Sequence, residues 1–404
     1  MREPGHQADD GGWADVVGQP DVVAVLRAAA DAAARIVAGD VASGMGQMTH
    51  AWLFTGPPGS GGPVAARAFA AALECPRGGC GRCSHCHTVR AGTHADVHLV
   101  VPAGLSIAAQ EMREIVRTAA RRPSAGRWQV VIVEDADRLT EAASNALLKA
   151  VEEPPERSVF LLCAPSTHPD DVSVTIRSRC RVVGLRTPTS EAVAEVLVRQ
   201  DGIDPAEADW AARAARGNVD RARQLAGDPQ ARQRRQAVLS IPASLTNLAA
   251  CFGAADELVG AAEAEARALS GELDGPEKEA LKVALGAGGT GKGAAAAARG
   301  TAGAVKELER RQKSRATRAQ RDALDRALVD LADFYRDVLA CQFGADVPPA
   351  HPDMASDVRR LAGSLSPEQV LHRLDTVLEC RRALELNVKP RIAVEAMTVA
   401  LRLP

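Results

Sequence analysis

The chain has 404 residues, a length that suits two or three domains at roughly 100–200 residues each. Hydrophobic residues make up 46% and aromatics only 3%, so the core must be built mainly from aliphatic side chains on many helices. The net charge of -2 argues against a dedicated nucleic-acid binder, and no apolar run reaches the ~18 residues needed to span a bilayer.

The first twelve residues, MREPGHQADDGG, lack the apolar centre of a signal peptide and read as a disordered tail. A soluble cytoplasmic protein is expected. Residues 21–38 carry Val, Leu, Ala and Ile on one helical face. AWLFT (51–55) reads as a short strand, GPPGSGGP (56–63) as a tight loop, and residues 63–74 as a helix with Pro63 at its first position. A cysteine cluster follows. ADVHLV (95–100) is a strand and 106–121 a helix. WQVVIVED (128–135) is a near-continuous apolar run, as expected of a central parallel strand. Residues 140–153 form a helix with Thr140 as N-cap, stopped by Pro154 and Pro155. Strands are expected again at 158–164 and 180–185. Strands alternating with helices imply a doubly wound α/β sheet over residues 13–186.

From Thr187 onward only helical periodicity remains. Residues 189–225 hold about three short helices, the last closed by Gly227, within a small helical unit at 187–228. The all-helical remainder, 229–404, is interrupted by the Gly/Ala-rich segment 286–300, read as a mobile loop.

Four features carry chemistry. A working phosphate loop reads G-x-x-x-x-G-K-[ST], with lysine on the β/γ-phosphates and the hydroxyl on Mg²⁺. Gly56, Gly59 and Gly61 keep its shape, but Gly62 holds the lysine position and Pro63 the hydroxyl position. The cation, the hydroxyl and one N–H donor are lost together, so ATP is not expected to bind this chain. Glu134 and Asp135 end the strand where a Mg²⁺-holding acidic pair would sit, in reversed order, and read as relics. Cys75, Cys80, Cys83 and Cys86 follow C-x4-C-x2-C-x2-C among turn-forming residues. Four thiolates at that spacing suit a structural Zn²⁺ with no open position, and His85 or His87 could replace one of them. Arg179, in TIRSRC (175–180), stands just before a strand. An arginine there can reach a neighbouring subunit, and its fork suits a triphosphate.

Three further stretches draw attention and carry less. GAGGTGKG (286–293) matches part of a phosphate-loop pattern, but no strand precedes it and glycine replaces the hydroxyl. The basic run RRQKSRATRAQR (310–321) is read as a solvated helix face, with nucleic acid or a partner subunit as the alternative. Arg113 and Arg117, one turn apart, suit either phosphate or interface contacts, or plain solvent.

WADVVGQ (13–19), HAWLFTGPPGSG (50–61), the cysteine cluster, VVIVEDADRLTEAASNALLKAVEEPP (130–155) and VTIRSRC (174–180) together resemble bacterial clamp-loader subunits of the AAA+ class. The likeness is strongest to the delta-prime kind of the DNA polymerase III holoenzyme, of actinobacterial type. It is strong from 13 to about 227 and looser beyond, where LNVKPRIAVEAM (386–397) is compatible. The resemblance implies an α/β AAA+ base, a helical lid at 187–228 and a helical collar that joins five subunits. It implies delta and tau/gamma partners, a sliding clamp placed on primer–template DNA, and ATP held at subunit interfaces. It implies that Arg179 serves as an arginine finger in trans. Where such chains carry a nucleotide-sensing arginine in a G-S-x-R motif, this one has Asp220, with Arg221 one place off. These departures suit a non-hydrolysing, stator-like subunit. The alternative is an active ATPase of the tau/gamma type with a variant loop, and a zinc-dependent DNA-binding module is a third reading.

Overall fold

In the computed structural model, the described residues are 11–40, 46–285 and 294–402. They divide into two compact units, each described by itself. The first includes residues up to Pro102 and Ser106–Ala226, and the second runs from Gly227 onward.

The first unit holds helix α1 (Pro20–Val37), strand β1 (Ala51–Thr55), α2 (Gly62–Glu74), α3 (Ser84–Arg90), β2 (Val97–Val100), α4 (Ala109–Ala119), β3 (Gln129–Val133), α5 (Glu141–Glu152), β4 (Ser158–Ala164), α6 (Val174–Arg177) and β5 (Arg181–Gly184). The five strands form one parallel sheet in the order β2-β3-β4-β1-β5. β1, β3 and β4 lie inside it and are buried along their whole length, which is why they read as unbroken apolar runs. Alternation splits their side chains between two cores. Trp52, Phe54, Val130 and Leu161 pack with α1 and α2 on one face. Leu53, Val131, Phe160 and Leu162 pack with Met112 of α4 and Leu147 of α5 on the other. Helix α2 is buried nearly all round, and its alanines allow the sheet, α1 and α3 to approach closely.

Thr140 caps α5 as expected, accepting the Ala143 N–H at 3.3 Å. Helices α7 (Ser190–Asp201), α8 (Pro205–Ala215) and α9 (Val219–Gly227) are the three short helices expected after Thr187. Through Ala226 they cluster with the sheet in one unit. Helix α3, within the cysteine cluster, and the single-turn α6 were not foreseen.

The second unit is helical: α10 (Pro229–Ser244), α11 (Leu248–Ala284), α12 (Ala294–Gln342), α13 (Ala355–Ser364), α14 (Pro367–Glu385) and α15 (Pro390–Arg402). Leu324, Leu328, Leu331, Tyr335 and Val338 form a buried stripe on α12 against Val377, Leu384, Val394 and Met397, at the three-to-four spacing a helix seam needs. A buried ionic cluster crosses this core. Arg235, 4% exposed, pairs with Asp353 through both nitrogens at 2.6 and 3.0 Å and donates to His351 Nδ1 at 2.7 Å. An arginine only donates, so His351 carries its proton on Nε2 and gives it to the Asp330 carbonyl at 3.1 Å.

The segment expected as a loop at 286–300 divides. Residues 286–293, with the GAGGTGKG stretch, lie outside the described residues, as do 1–10 of the expected tail. Residues 294–300 open helix α12, because their alanines favour helix more than the neighbouring glycines oppose it. The basic run 310–321 also lies on α12, and much of it is neutralised within the unit. Arg315 bonds Asp274 at 2.6 Å and Glu277 at 2.7 Å, Arg310 and Arg311 pair with Glu307, and Arg318 pairs with Asp322. No described helix is long and apolar enough to cross a membrane.

Candidate functional site

The glycine-rich turn joins β1 to α2 with the shape its sequence suggests. Gly59 and Gly61 both sit at φ +88°, where side chains are strained. Gly56 has no room for a Cβ, which would fall 2.5 Å from Ser60 Oγ and 2.7 Å from the Leu185 carbonyl. The two altered positions differ from these. A Cβ on Gly62 would meet nothing closer than Cys163 Cβ at 3.8 Å, so the backbone of the turn does not itself demand glycine there. Pro63 occupies the first turn of α2, where its absent N–H costs nothing. The Ser60 N–H is already used within the turn, donating to Pro57 O at 2.9 Å.

Behind the turn, Glu134 and Asp135 lie at the C-terminal end of β3. Arg67, on the second turn of α2, bonds Glu134 Oε1. Glu134 thus faces a cation from the chain's own helix. Burial first, then the Glu134 charge, pushes the nearby Cys163 thiol far above its usual range.

Two residues that sequence reasoning did not single out close the turn against the helices beyond it. Gln19 is buried; its amide nitrogen donates to the Arg186 carbonyl and, at 3.5 Å, to Ser60 O, while its oxygen accepts the Arg186 N–H at 3.3 Å. Asn218 lies against Gly59: a Cβ added there would fall 2.8 Å from Asn218 Cβ. Asn218 Oδ1 also accepts the Arg221 N–H at 3.0 Å, capping α9. Asp220 lies 3.7 Å from Arg223, so no cation occupies position 220 where a sensing arginine would stand. Gln19 stands in a quoted motif, and Asn218 carries the residue type of an N-cap; only those two signals mark them.

Arg179 lies between α6 and β5, about a third exposed. Its Nη2 is 2.6 Å from Glu152 Oε1 at the end of α5, and its Nη1 donates to Thr175 O at 2.9 Å and Ser178 Oγ at 3.2 Å. Arg113 and Arg117 are exposed on α4, where Arg117 Nε donates to Arg113 O at 3.3 Å.

The cysteine cluster comes together as its spacing predicts. The four sulfur atoms lie within 4.8 Å of one another, with Cys75 Sγ 3.6 Å from the sulfurs of Cys80 and Cys83. Four thiolates about 2.3 Å from a tetrahedral ion stand roughly 3.8 Å apart, so the set fits a metal. Arg77 N and Cys80 N donate to Cys75 Sγ at 3.3 and 3.4 Å, and Cys86 N donates to Cys83 Sγ at 3.5 Å. Such donors favour thiolate. Backbone N–H groups, that of Arg82 foremost, bring Cys80 down to about 6. Burial pushes Cys75 up, but N–H groups of Cys80, Arg77 and Gly79 together hold it below its ordinary value. Burial raises Cys86.

Glu74, His85 and His94 form a second cluster with ligand atoms within 4.8 Å. Its hydrogen bonds count against a second ion. The Asp96 N–H donates to His94 Nδ1 at 3.2 Å, which leaves the proton on Nε2, directed at His85 Nδ1 2.9 Å away. Glu74 instead receives the N–H groups of Arg127 at 2.6 Å and Trp128 at 3.3 Å. Asp96 receives those of Ser124, Ala125 and Gly126. The two carboxylates staple the loop that leads into β3.

A parallel sheet of order β2-β3-β4-β1-β5, a glycine-rich turn after β1, an acidic pair ending β3 and three helices beyond the sheet define an AAA+ type of domain. Residues 40–189 match the family model described as "DNA polymerase III, delta subunit", and residues 319–397 match "DNA polymerase III, delta subunit, C terminal". The DNA polymerase III subunit delta' of Pseudomonas aeruginosa is 37% identical over 171 residues, which cover 41% of this chain and 52% of that one. The subunit tau of Bacillus subtilis is 33% identical over 198 residues, covering 45% of this chain and 35% of the relative. The gamma/tau subunit of Mycobacterium tuberculosis is 34% identical over 199 residues, covering 47% and 32%. The chain is similar to the DNA polymerase III clamp-loader subunits of the delta′ and tau/gamma kind. It spans about a third of the length of the tau and gamma/tau relatives and half that of the delta′ relative.

Proposed function

We propose that the chain is a non-hydrolysing, stator-like subunit of the DNA polymerase III clamp loader. It assembles with delta and tau/gamma subunits as a heteropentamer that loads the sliding clamp onto primer–template DNA in the cytoplasm. The observation that carries this reading is the phosphate turn itself. Gly62 and Pro63 supply neither cation nor hydroxyl, although a Cβ at position 62 would meet nothing closer than 3.8 Å. A chain under pressure to turn over ATP would keep that lysine.

Arg179 is the residue offered to chemistry elsewhere. Among the described residues Glu152 is the one carboxylate paired with its fork, and at a position about a third exposed such a pair is worth little, about 0–1 kcal/mol. A triphosphate bound to an adjoining subunit can take Glu152's place and receive two parallel N–H bonds. Zn²⁺ on Cys75, Cys80, Cys83 and Cys86 is structural, because four thiolates leave no position for substrate. The helices 187–228 act as lid and 229–404 as collar.

The test is a loader reconstituted from this chain and its partner subunits. Replacing Arg179 by Ala is expected to lower DNA-stimulated ATP turnover by tenfold or more without loss of assembly; arginine fingers contribute about 10³–10⁵ in other systems. Turnover equal to the wild type would remove Arg179 from the mechanism. The tau/gamma alternative predicts instead that this chain hydrolyses ATP alone.

A further inference from the structure

The loss of lysine and hydroxyl explains weak phosphate chemistry, but the contacts around the turn go further. Gly59 is in van der Waals contact with Asn218 so closely that a methyl group does not fit between them: the added carbon would lie 2.8 Å from Asn218 Cβ, 3.2 Å from its Cα and 3.2 Å from its Cγ. Gly217, the residue before, is wedged in turn. At φ +83° its Cβ would fall 2.5 Å from the Pro188 carbonyl and 2.5 Å from Thr187 Cγ2. Gln19 ties Ser60 to Arg186 from the other side. The N-terminus of α9, whose open N–H groups would otherwise attract an anion, is capped by the same Asn218. The turn and the helical cluster are therefore closed directly on one another.

We propose that Asn218 is a built-in occupant of the phosphate turn, so that nucleotide is excluded by this closed contact as well as by the residues at positions 62 and 63. The proposal rests on reading the chain as a subunit that does not bind ATP, and it says which residue enforces that. Repairing the turn's chemistry alone then fails, because Asn218 stays packed on the turn at Gly59. Removing the Asn218 side chain opens the space. Glycine serves nearly as well as asparagine at an N-cap, so α9 survives the change.

The experiment compares binding of a non-hydrolysable ATP analogue with Mg²⁺ to four full-length proteins: wild type, Asn218→Gly, the double variant Gly62→Lys/Pro63→Thr, and the triple variant with all three changes. The wild type and the double variant are expected to show no saturable binding, and the triple variant to bind at least about tenfold more tightly than the double. A double variant that binds as tightly as the triple, or a triple that binds no better than the double, would overturn the role of Asn218 and leave the parent reading standing. Saturable binding by the wild type would overturn both. A second readout does not depend on the repaired turn. In Asn218→Gly alone, amide hydrogen exchange across Gly59–Gly62 is expected to rise by tenfold or more, and exchange unchanged from the wild type would contradict the proposal.

Discussion

Replacing Asp96 by Asn should cost the first unit about 2–3 kcal/mol. The Asp96 side chain is buried and accepts five bonds: Oδ1 from Ser124 N at 2.7 Å, Ser124 Oγ at 2.8 Å and Gln129 Nε2 at 2.9 Å, and Oδ2 from Ala125 N at 2.7 Å and Gly126 N at 2.6 Å. Whichever oxygen becomes the amide nitrogen, at least two donors lose their acceptor and face another donor. A buried polar group left unpaired costs ~1–3 kcal/mol. The carboxyl itself points to the same size. Burial raises it, but the N–H groups of Ser124, Ala125 and Gly126 hold it down at about 2, from an ordinary 3.8. A shift of nearly two units corresponds to roughly 2.5 kcal/mol. Because the folded value is depressed, that stability is present above about pH 4 and is lost as pH falls toward 2. All four tryptophans of the chain, Trp13, Trp52, Trp128 and Trp210, lie in the first unit, so urea unfolding followed by tryptophan emission reports this unit. The expected drop in midpoint on heating is roughly 5–10 °C, at ~2–4 °C per kcal/mol for a unit of this size. A variant within about 0.5 kcal/mol of wild type at pH 7, or a gap that persists undiminished at pH 2.5, would refute the reasoning.

Three other outcomes follow from the same structure. Purified protein should carry about one zinc per chain, and Cys83→Ser should lose it, as read by elemental analysis; full metal content in the variant would contradict the four-thiolate site. Arg235→Met should destabilise the second unit by roughly 3 kcal/mol, the low end for a broken buried pair, because Asp353 keeps partial access to water; helical circular dichroism on unfolding measures it, and a change below about 0.5 kcal/mol would count against the cluster. Burial foremost, then the Arg235 charge, lowers the pKa of His351. The neutral form is the folded one, so stability of this unit is full above the unfolded value near about 6.5 and falls as pH drops below it, by up to ~1.4 kcal/mol per pH unit. In His351→Asn that slope should vanish, and an identical pH profile in the variant would refute the assignment.

The parts legible in the sequence are those set by neighbours in the chain. β1 and β4 occupy 51–55 and 158–164 as expected, because a strand buried on both faces is an unbroken apolar run. Thr140, the glycine turn and the cysteine spacing are local signals and appear as read. Helix α3 was hidden because its seven residues, SHCHTVR, are too short and polar to show periodicity. Residues 294–300 read as a loop because the glycines of 286–293 before them draw more weight than their own alanines. The contacts that define the candidate site are long-range: Arg67 with Glu134, Glu152 with Arg179, Gln19 with Arg186, and Asn218 with Gly59. No spacing rule connects positions that stand dozens to more than a hundred residues apart, and only the folded chain brings Gln19 and Asn218 to the same turn. The basic run 310–321 reads as a solvated helix face, and the exposed Arg310 and Arg311 fit that reading, while the partners of Arg315, Asp274 and Glu277 on α11, carry no local signal.

The account stands or falls on whether this polypeptide can hold a nucleotide by itself. Equilibrium dialysis of the isolated, zinc-loaded chain against labelled ATP and Mg²⁺ measures that directly. No saturable uptake is predicted at concentrations that fill the partner subunits. Micromolar binding that disappears when Gly59 or Gly61 is altered would show a working phosphate turn and contradict the reading.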